Sequence, residues 1–277
     1  MTPAADILDL VSDLKATGEA FALATVVRTV SLTAAKAGAK AVIRPDGTIS
    51  DGWIGGGCAK SAVLKAAREA IADGKPRLVS VQPADLLQEQ GLTAGEESEG
   101  VRFASNMCPS QGTMDIFVEP MLPKPELVVC GASPVAIALT ELGRQFGYRV
   151  VACAPKTSRE AFGDIDQLID GFELENTNRS QRFIVVATQG SGDLAALRAM
   201  LSLDANHIAF VGSRKKMANL RGRLTADGVA PEQLDRVKAP AGLDLGAITP
   251  QEIALSIIAE VIQSYRQQQQ AVAKQTA

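Results

Sequence analysis

One histidine, His207, stands among 277 residues, and its isolation removes the usual means of building a Ser-His-Asp triad. The four cysteines, Cys58, Cys108, Cys130 and Cys153, lie far apart and form no C-x-x-C pair. With a single histidine beside them, the ligand spacing of a zinc site is missing too. Positive charge is not in excess. Lys and Arg number 28 against 31 Asp and Glu, with the signs interspersed, so nucleic acid finds no basic stripe from which to release counterions. No apolar run approaches the roughly 20 residues of a membrane span. The opening MTPAADILDLVSDLKATGEA mixes acids with apolar residues at helical spacing, unlike the uninterrupted apolar core of a signal peptide. These absences predict a soluble, cytoplasmic protein with no membrane span and no nucleic-acid partner.

What is present divides near residue 122. PMLPKPE, residues 120–126, carries three prolines in seven positions and reads as a stiff linker. Residues 1–119 form a small α+β domain: a helix at 6–16, the strand FALATVVRTV, a hairpin turning at Pro45-Asp46-Gly47, a helix at 58–72 closing at Gly74, and the strands RLVSV and TMDIFVEP. The acidic segment from Gly91 to Gly100 reads as a solvated loop. Residues 127–266 alternate strand and helix, beginning with ELVVCGASPVAIALTELGRQFGYRVVACAP, which is the opening of a doubly wound parallel sheet. The tail, 267–277, has little apolar surface and is expected to be disordered.

Two stretches carry chemistry. In GWIGGGCAK, residues 52–60, the glycines Gly55, Gly56 and Gly57 run into Cys58 and a helix. They either leave bare amides that bind an anion or only pack a turn. In the first case Cys58 becomes a candidate thiolate, favoured by the helix dipole and Lys60, able to bind a soft metal or accept sulfur. Lys40 is a candidate for the same anion site, and Cys108, in the polar loop NMCPSQG, is the second candidate cysteine. In the second half, a full dinucleotide fingerprint would be G-x-G-x-x-G/A, and the chain has Gly131, Ser133 and Ala136 at those positions. The strand that should end in a ribose-binding acid runs out in ACAPK. NAD binding is therefore not expected. Further candidates are Ser213 and Arg214, which open a helix, and Asp244 in PAGLDLG.

The ordered set GWIGGGCAKSAV, CPSQGTMDIFVEP, VVCGASPVAIAL, FVGSRKKMANLRGRL and KAPAGLDLGAITPQEIALSIIAEVI resembles the xanthine dehydrogenase accessory factor family (XdhC/CoxI-like). Relatives typically carry Gly-Ala-Gly-His where this chain has Gly-Ala-Ser-Pro. The resemblance implies a Rossmann-like second domain and a non-enzymatic maturation chaperone. Its cargo would be the molybdenum cofactor, as molybdopterin or its cytosine dinucleotide form, with Cys58 touching molybdenum through the cofactor. Its partners would be an apo-molybdenum hydroxylase client and a cysteine desulfurase that exchanges an oxo for a sulfido ligand; a homodimer is compatible with it. The rival readings are a nicotinamide-dependent oxidoreductase and a nucleotide-sensing regulatory module.

Overall fold

The computed structural model describes residues 7–107, 111–176 and 181–276. They form two compact units, one of residues up to Pro123 together with those from Gln269 on, the other of Lys124–Gln268, so that the last turns of the final helix group with the first unit.

The N-terminal unit contains α1 (Ile7–Thr17), β1 (Phe21–Val30), β2 (Lys40–Ile43), β3 (Ile49–Gly52), α2 (Gly57–Asp73), β4 (Arg77–Pro83), α3 (Ala84–Glu89), β5 (Glu97–Ser98), β6 (Val101–Asn106) and β7 (Thr113–Met121). Its strands make one sheet in the order β3-β2-β1-β7-β4-β6-β5. Pairing is antiparallel except between β4 and β6. Alternation along β1 sends Ala22, Ala24 and Val26 to one face, where they bury against Val63, Ala66, Ala67 and Ala70 of α2. Small residues on both partners let the helix lie close to the sheet. Phe21 and Leu23 point the other way, to Val11 and Leu14 of α1.

The β2–β3 hairpin turns as the sequence predicts, with Gly47 at φ 86° and the Asp46 carboxylate accepting from the Thr48 amide at 2.8 Å. Helix α2 stops at Gly74, whose left-handed backbone donates its N–H to Ala70 O. The expected loop between Gly91 and Gly100 contains β5, which pairs with the unforeseen β6. The linker is shorter than 120–126, since β7 continues through Pro120 and Met121 and β8 opens at Glu126. Pro120 is tolerated in the strand because β4 pairs with β7 only as far as Val118.

The C-terminal unit contains β8 (Glu126–Cys130), α4 (Pro134–Gln145), β9 (Arg149–Cys153), β10 (Gln167–Ile169), β11 (Arg182–Val186), α5 (Asp193–Leu201), β12 (His207–Phe210), α6 (Arg214–Ala226), α7 (Pro231–Asp235), β13 (Val237–Lys238) and α8 (Pro250–Thr276). All six strands are parallel, in the order β10-β9-β8-β11-β12-β13. Counted along the chain, that is the 3-2-1-4-5-6 order of the Rossmann fold. Strands β8 and β11 are buried throughout, as a sheet covered on both faces requires. One face packs on α4 and α8 through Ala136, Leu139, Ile257 and Val261, the other on α5 and α6 through Leu197, Met200, Leu220 and Leu224. The tail expected to be disordered from 267 instead continues α8 to Thr276. Its glutamines, alanines and lysine are good helix formers and no glycine or proline interrupts them.

At the amino edge of this sheet, Arg182 and Glu126 are almost wholly buried and meet at 2.7 Å, and Arg149 adds a second contact to Glu126 at 3.0 Å.

Candidate functional site

In the N-terminal unit β1, β3, β4 and β6 end, and β2, α2 and β7 begin, at one edge of the sheet. The glycine run therefore meets the β1–β2 loop and the span that follows β6. Gly55 has φ 106°, and a Cβ there would sit 3.1 Å from the Met114 methyl, so packing explains this glycine. Gly57 has φ 47°, where glycine is favoured, and nothing lies within 4 Å of where its Cβ would be. Gly56 differs from both. Its backbone is extended, at φ −103° and ψ 179°, which any residue adopts, and its missing Cβ also faces open space. The residue at the N-cap of α2 is Gly56, which has no side chain to cap the helix, and among the described residues no side-chain hydrogen bond to the first-turn amides is seen.

Cys58 is the second residue of α2. Cys108 lies outside the described residues, but Met107 and Gln111 on either side of it are at the same edge, where Gln111 bridges to Leu32. Val30, Leu32, Trp53 and Met107 leave the rim apolar and exposed, Met107 at 82%. A groove of about 1070 Å³ starts at Gly57 and Met107 and follows α2 to Asp73, Arg77 and Arg102. Lys40 does not join this site. Its side chain lies on the sheet face away from α2, where the ammonium donates to Thr25 Oγ1 at 3.2 Å.

In the C-terminal unit the candidates gather along the carboxyl edge. A Cβ on Gly131 would come within 2.7 Å of Ala187 O, so this glycine lets β8 turn tightly against β11. Ser133 caps α4: its hydroxyl accepts from the Ala136 amide at 3.2 Å and donates to Ala187 O at 2.7 Å. Ser213 caps α6 by accepting from the Lys216 amide at 3.2 Å. Arg214 is exposed beside it, and Asp244 is exposed in the loop before α8.

Sequence reasoning missed the buried Asp193 at this edge. Its carboxylate accepts from Thr188 Oγ1 and from the Gly190 amide at 3.1 Å, and pairs with Lys216 at 2.6 Å. Burial pushes the carboxyl up, but these donors outweigh it and hold Asp193 below the usual aspartate range. Cys130 and Cys153 are fully buried, as packing residues should be, yet they are register partners on adjacent strands. A hydrogen bond with Cys153, together with burial, raises the Cys130 thiol well above its ordinary value. Among the described residues, no group of three or more His, Cys, Asp or Glu is placed to hold a metal, and no helix is long and apolar enough to cross a membrane.

His207 is structural. Its Nε2 lies 2.6 Å from the buried Glu260, which also pairs with Lys238 at 2.5 Å. Burial raises the Glu260 carboxyl, but hydrogen bonds with His207 and Lys238 pull it below the ordinary 4.5. A carboxyl lowered on folding stabilises the fold above its unfolded pKa, and that stability is lost as pH falls through the folded value. Glu260→Gln should therefore flatten the loss of stability seen on acidification below the ordinary glutamate value. Urea midpoints measured across that range check it.

Fold and site together define a two-unit protein that pairs a glycine-cysteine helix start on a mixed sheet with a Rossmann-type domain. A model described as the XdhC Rossmann domain matches residues 127–261, and one described as the XdhC and CoxI family matches residues 14–82. The chain belongs to the XdhC and CoxI family. It is 28% identical to the Escherichia coli (strain K12) protein YqeB over 258 residues, 88% of this chain and 43% of that protein. It is 31% identical to a Bacillus subtilis (strain 168) protein described as a probable xanthine dehydrogenase subunit, over 160 residues, 55% of this chain and 46% of that one. The chain thus spans less than half the length of these curated relatives. A crystal structure described as a xanthine dehydrogenase from Bacillus halodurans aligns with 20% identity and a TM-score of 0.44, covering 94% of this chain and 96% of that one.

Proposed function

We propose that this chain is an accessory factor that binds the molybdenum cofactor as cargo and delivers it, after sulfuration by a cysteine desulfurase, to an apo-molybdenum hydroxylase. Membership of the XdhC and CoxI family and the similarity to a probable xanthine dehydrogenase subunit support an accessory role. The observation that carries the cargo reading is the start of α2. Uncapped amides, two glycines whose missing side chains leave open space, and a groove of about 1070 Å³ meet there. A phosphate-bearing, sulfur-rich pterin suits both parts of that site: backbone N–H groups at a helix N-terminus hold the phosphate, and a cysteine in the same turn offers a soft ligand. The residues present fit such a cargo. The groove beyond Gly57 has room for the longer, dinucleotide form.

Gly56→Val tests the reading. Valine adopts the extended backbone at Gly56 and its Cβ has open space, so the variant should fold, with a loss of about 1 kcal/mol for a poorer residue at the helix N-cap. Its side chain would occupy the space before the α2 amides, and binding of purified molybdenum cofactor, followed by its absorption spectrum, should be lost. Undiminished binding in this variant would remove the glycine run from the site.

A further inference from the structure

A second, smaller cavity, of about 490 Å³, lies at the carboxyl edge of the C-terminal sheet. It opens between the ends of β8 and β11, where the strand order reverses and where open α/β sheets take nucleotides. Its lining includes Ser133, Ser158, Thr188, Gln189 and Ser191, and no carboxylate.

That missing carboxylate matters. An acid after the second strand of such a sheet accepts a hydrogen bond from a ribose hydroxyl and repels a phosphate placed there, whereas a basic residue accommodates the phosphate. Here β9 ends at Cys153, and the buried Ala154 and then Pro155 follow. The next turn, a short 3₁₀ helix over residues 156–161, exposes Lys156 and Arg159, one turn apart on the same side, next to Ser158, which lines the cavity. Asp170 accepts from the Lys156 backbone amide at 3.1 Å and lies 3.9 Å from its ammonium. Arg159 makes no ion pair among the described residues, and Glu160 is the one acid of the turn.

The other anchor of a dinucleotide is weak in this chain. Ser133 stands where the second glycine would let a pyrophosphate approach, its hydroxyl is already engaged at both Ala136 and Ala187, and Pro134 contributes no amide. Affinity must then come from the ribose end.

We propose that this crevice binds a nucleotide whose ribose carries a phosphomonoester, the feature shared by NADP(H) and coenzyme A, and that Lys156, Ser158 and Arg159 read that phosphate. Two charge-assisted contacts to a dianion discriminate by about tenfold or more against a ligand that lacks it. NAD is rejected for lack of that group, not for lack of a fold to hold it.

The test is calorimetric titration of the full chain with NADPH, NADH, coenzyme A and dephospho-coenzyme A, since within each pair only the ribose phosphate differs. The phosphorylated member of one pair should bind at least about tenfold tighter, and the pair that responds identifies the source of the ligand. The exposed double variant Lys156→Glu/Arg159→Glu should keep its melting temperature and lose that preference. Equal affinities within both pairs, no binding of any of the four, or a preference that survives the charge reversal each overturn the proposal. The readout is independent of molybdenum, so cofactor delivery by the N-terminal unit stands or falls separately.

Discussion

Cys58→Ser should leave the chain folded and reduce activation of an apo-molybdenum hydroxylase, supplied with cofactor, to the level seen without the accessory factor. The expectation follows from where the residue sits. Position 58 is in the first turn of a 17-residue helix that begins with glycine and carries no side-chain cap. A thiol in the first turn of a helix is stabilised as the thiolate, the form that binds soft metals and attacks sulfur donors. Serine preserves the size of the side chain but supplies neither a soft ligand nor a sulfur acceptor. Alkylation of the native protein, resolved by mass, gives a second readout. Cys58 should react ahead of Cys130 and Cys153, which are fully buried, with Cys130 held protonated by its neighbour. Cys108→Ser is the informative companion. A comparable loss there means a two-cysteine site, and full activity assigns the chemistry to Cys58. An unreactive Cys58 whose serine variant activates the client normally would make the glycine-cysteine stretch a packing turn.

The largest effect on stability is expected from Glu126→Leu. Arg182 is 1% exposed and the carboxylate it meets at 2.7 Å is nearly as buried. Replacing the carboxylate takes from both Arg182 and Arg149 the opposite charge they meet, and breaking a buried pair in this way costs about 3–5 kcal/mol. The double replacement Glu126→Leu/Arg182→Met should recover much of that loss, because the desolvation of both charges disappears with them. Denaturant unfolding of the three proteins measures it. A single variant within about 0.5 kcal/mol of the parent would show that acceptors such as Asn176 Oδ1 already satisfy Arg182 without the carboxylate.

Much of the fold was legible because it is local. Continuous apolar runs such as LVVC and FIVVA announce strands covered on both faces, and glycine marks the end of α2 in the sequence as it does in space. Strand β6 was not legible. VRFASN is half-buried at every position, so no alternation shows, and only pairing with β4 and β5 makes it a strand. The tail misled because lack of apolar surface was read as lack of structure, although its residues favour helix. At the sites, GGGC is visible as a short motif, whereas Lys40 is a candidate only because it follows the turn at Gly38 and Ala39. Strand alternation then sends that side chain to the opposite face of the sheet. Asp193 escaped notice because its partners Thr188 and Lys216 come from two separate connections, brought together only by the order of β11 and β12.

The bridge between Leu32 and Gln111 has a consequence for how the edge beside Cys58 receives a visitor. Asn106 donates its side-chain amide to Gly112 O at 2.7 Å, and a Cβ on Gly112 would come within 2.3 Å of Leu32 O. Asn106, Gln111 and Gly112 are therefore fastened to one another and to the loop that follows β1. Contacts of this kind order these residues before anything arrives, so less chain entropy is forfeited when a guest binds against them. The rim of the site is held ready like a half-closed hand, and Gly112 is the knuckle that no other amino acid replaces without prising two fingers apart.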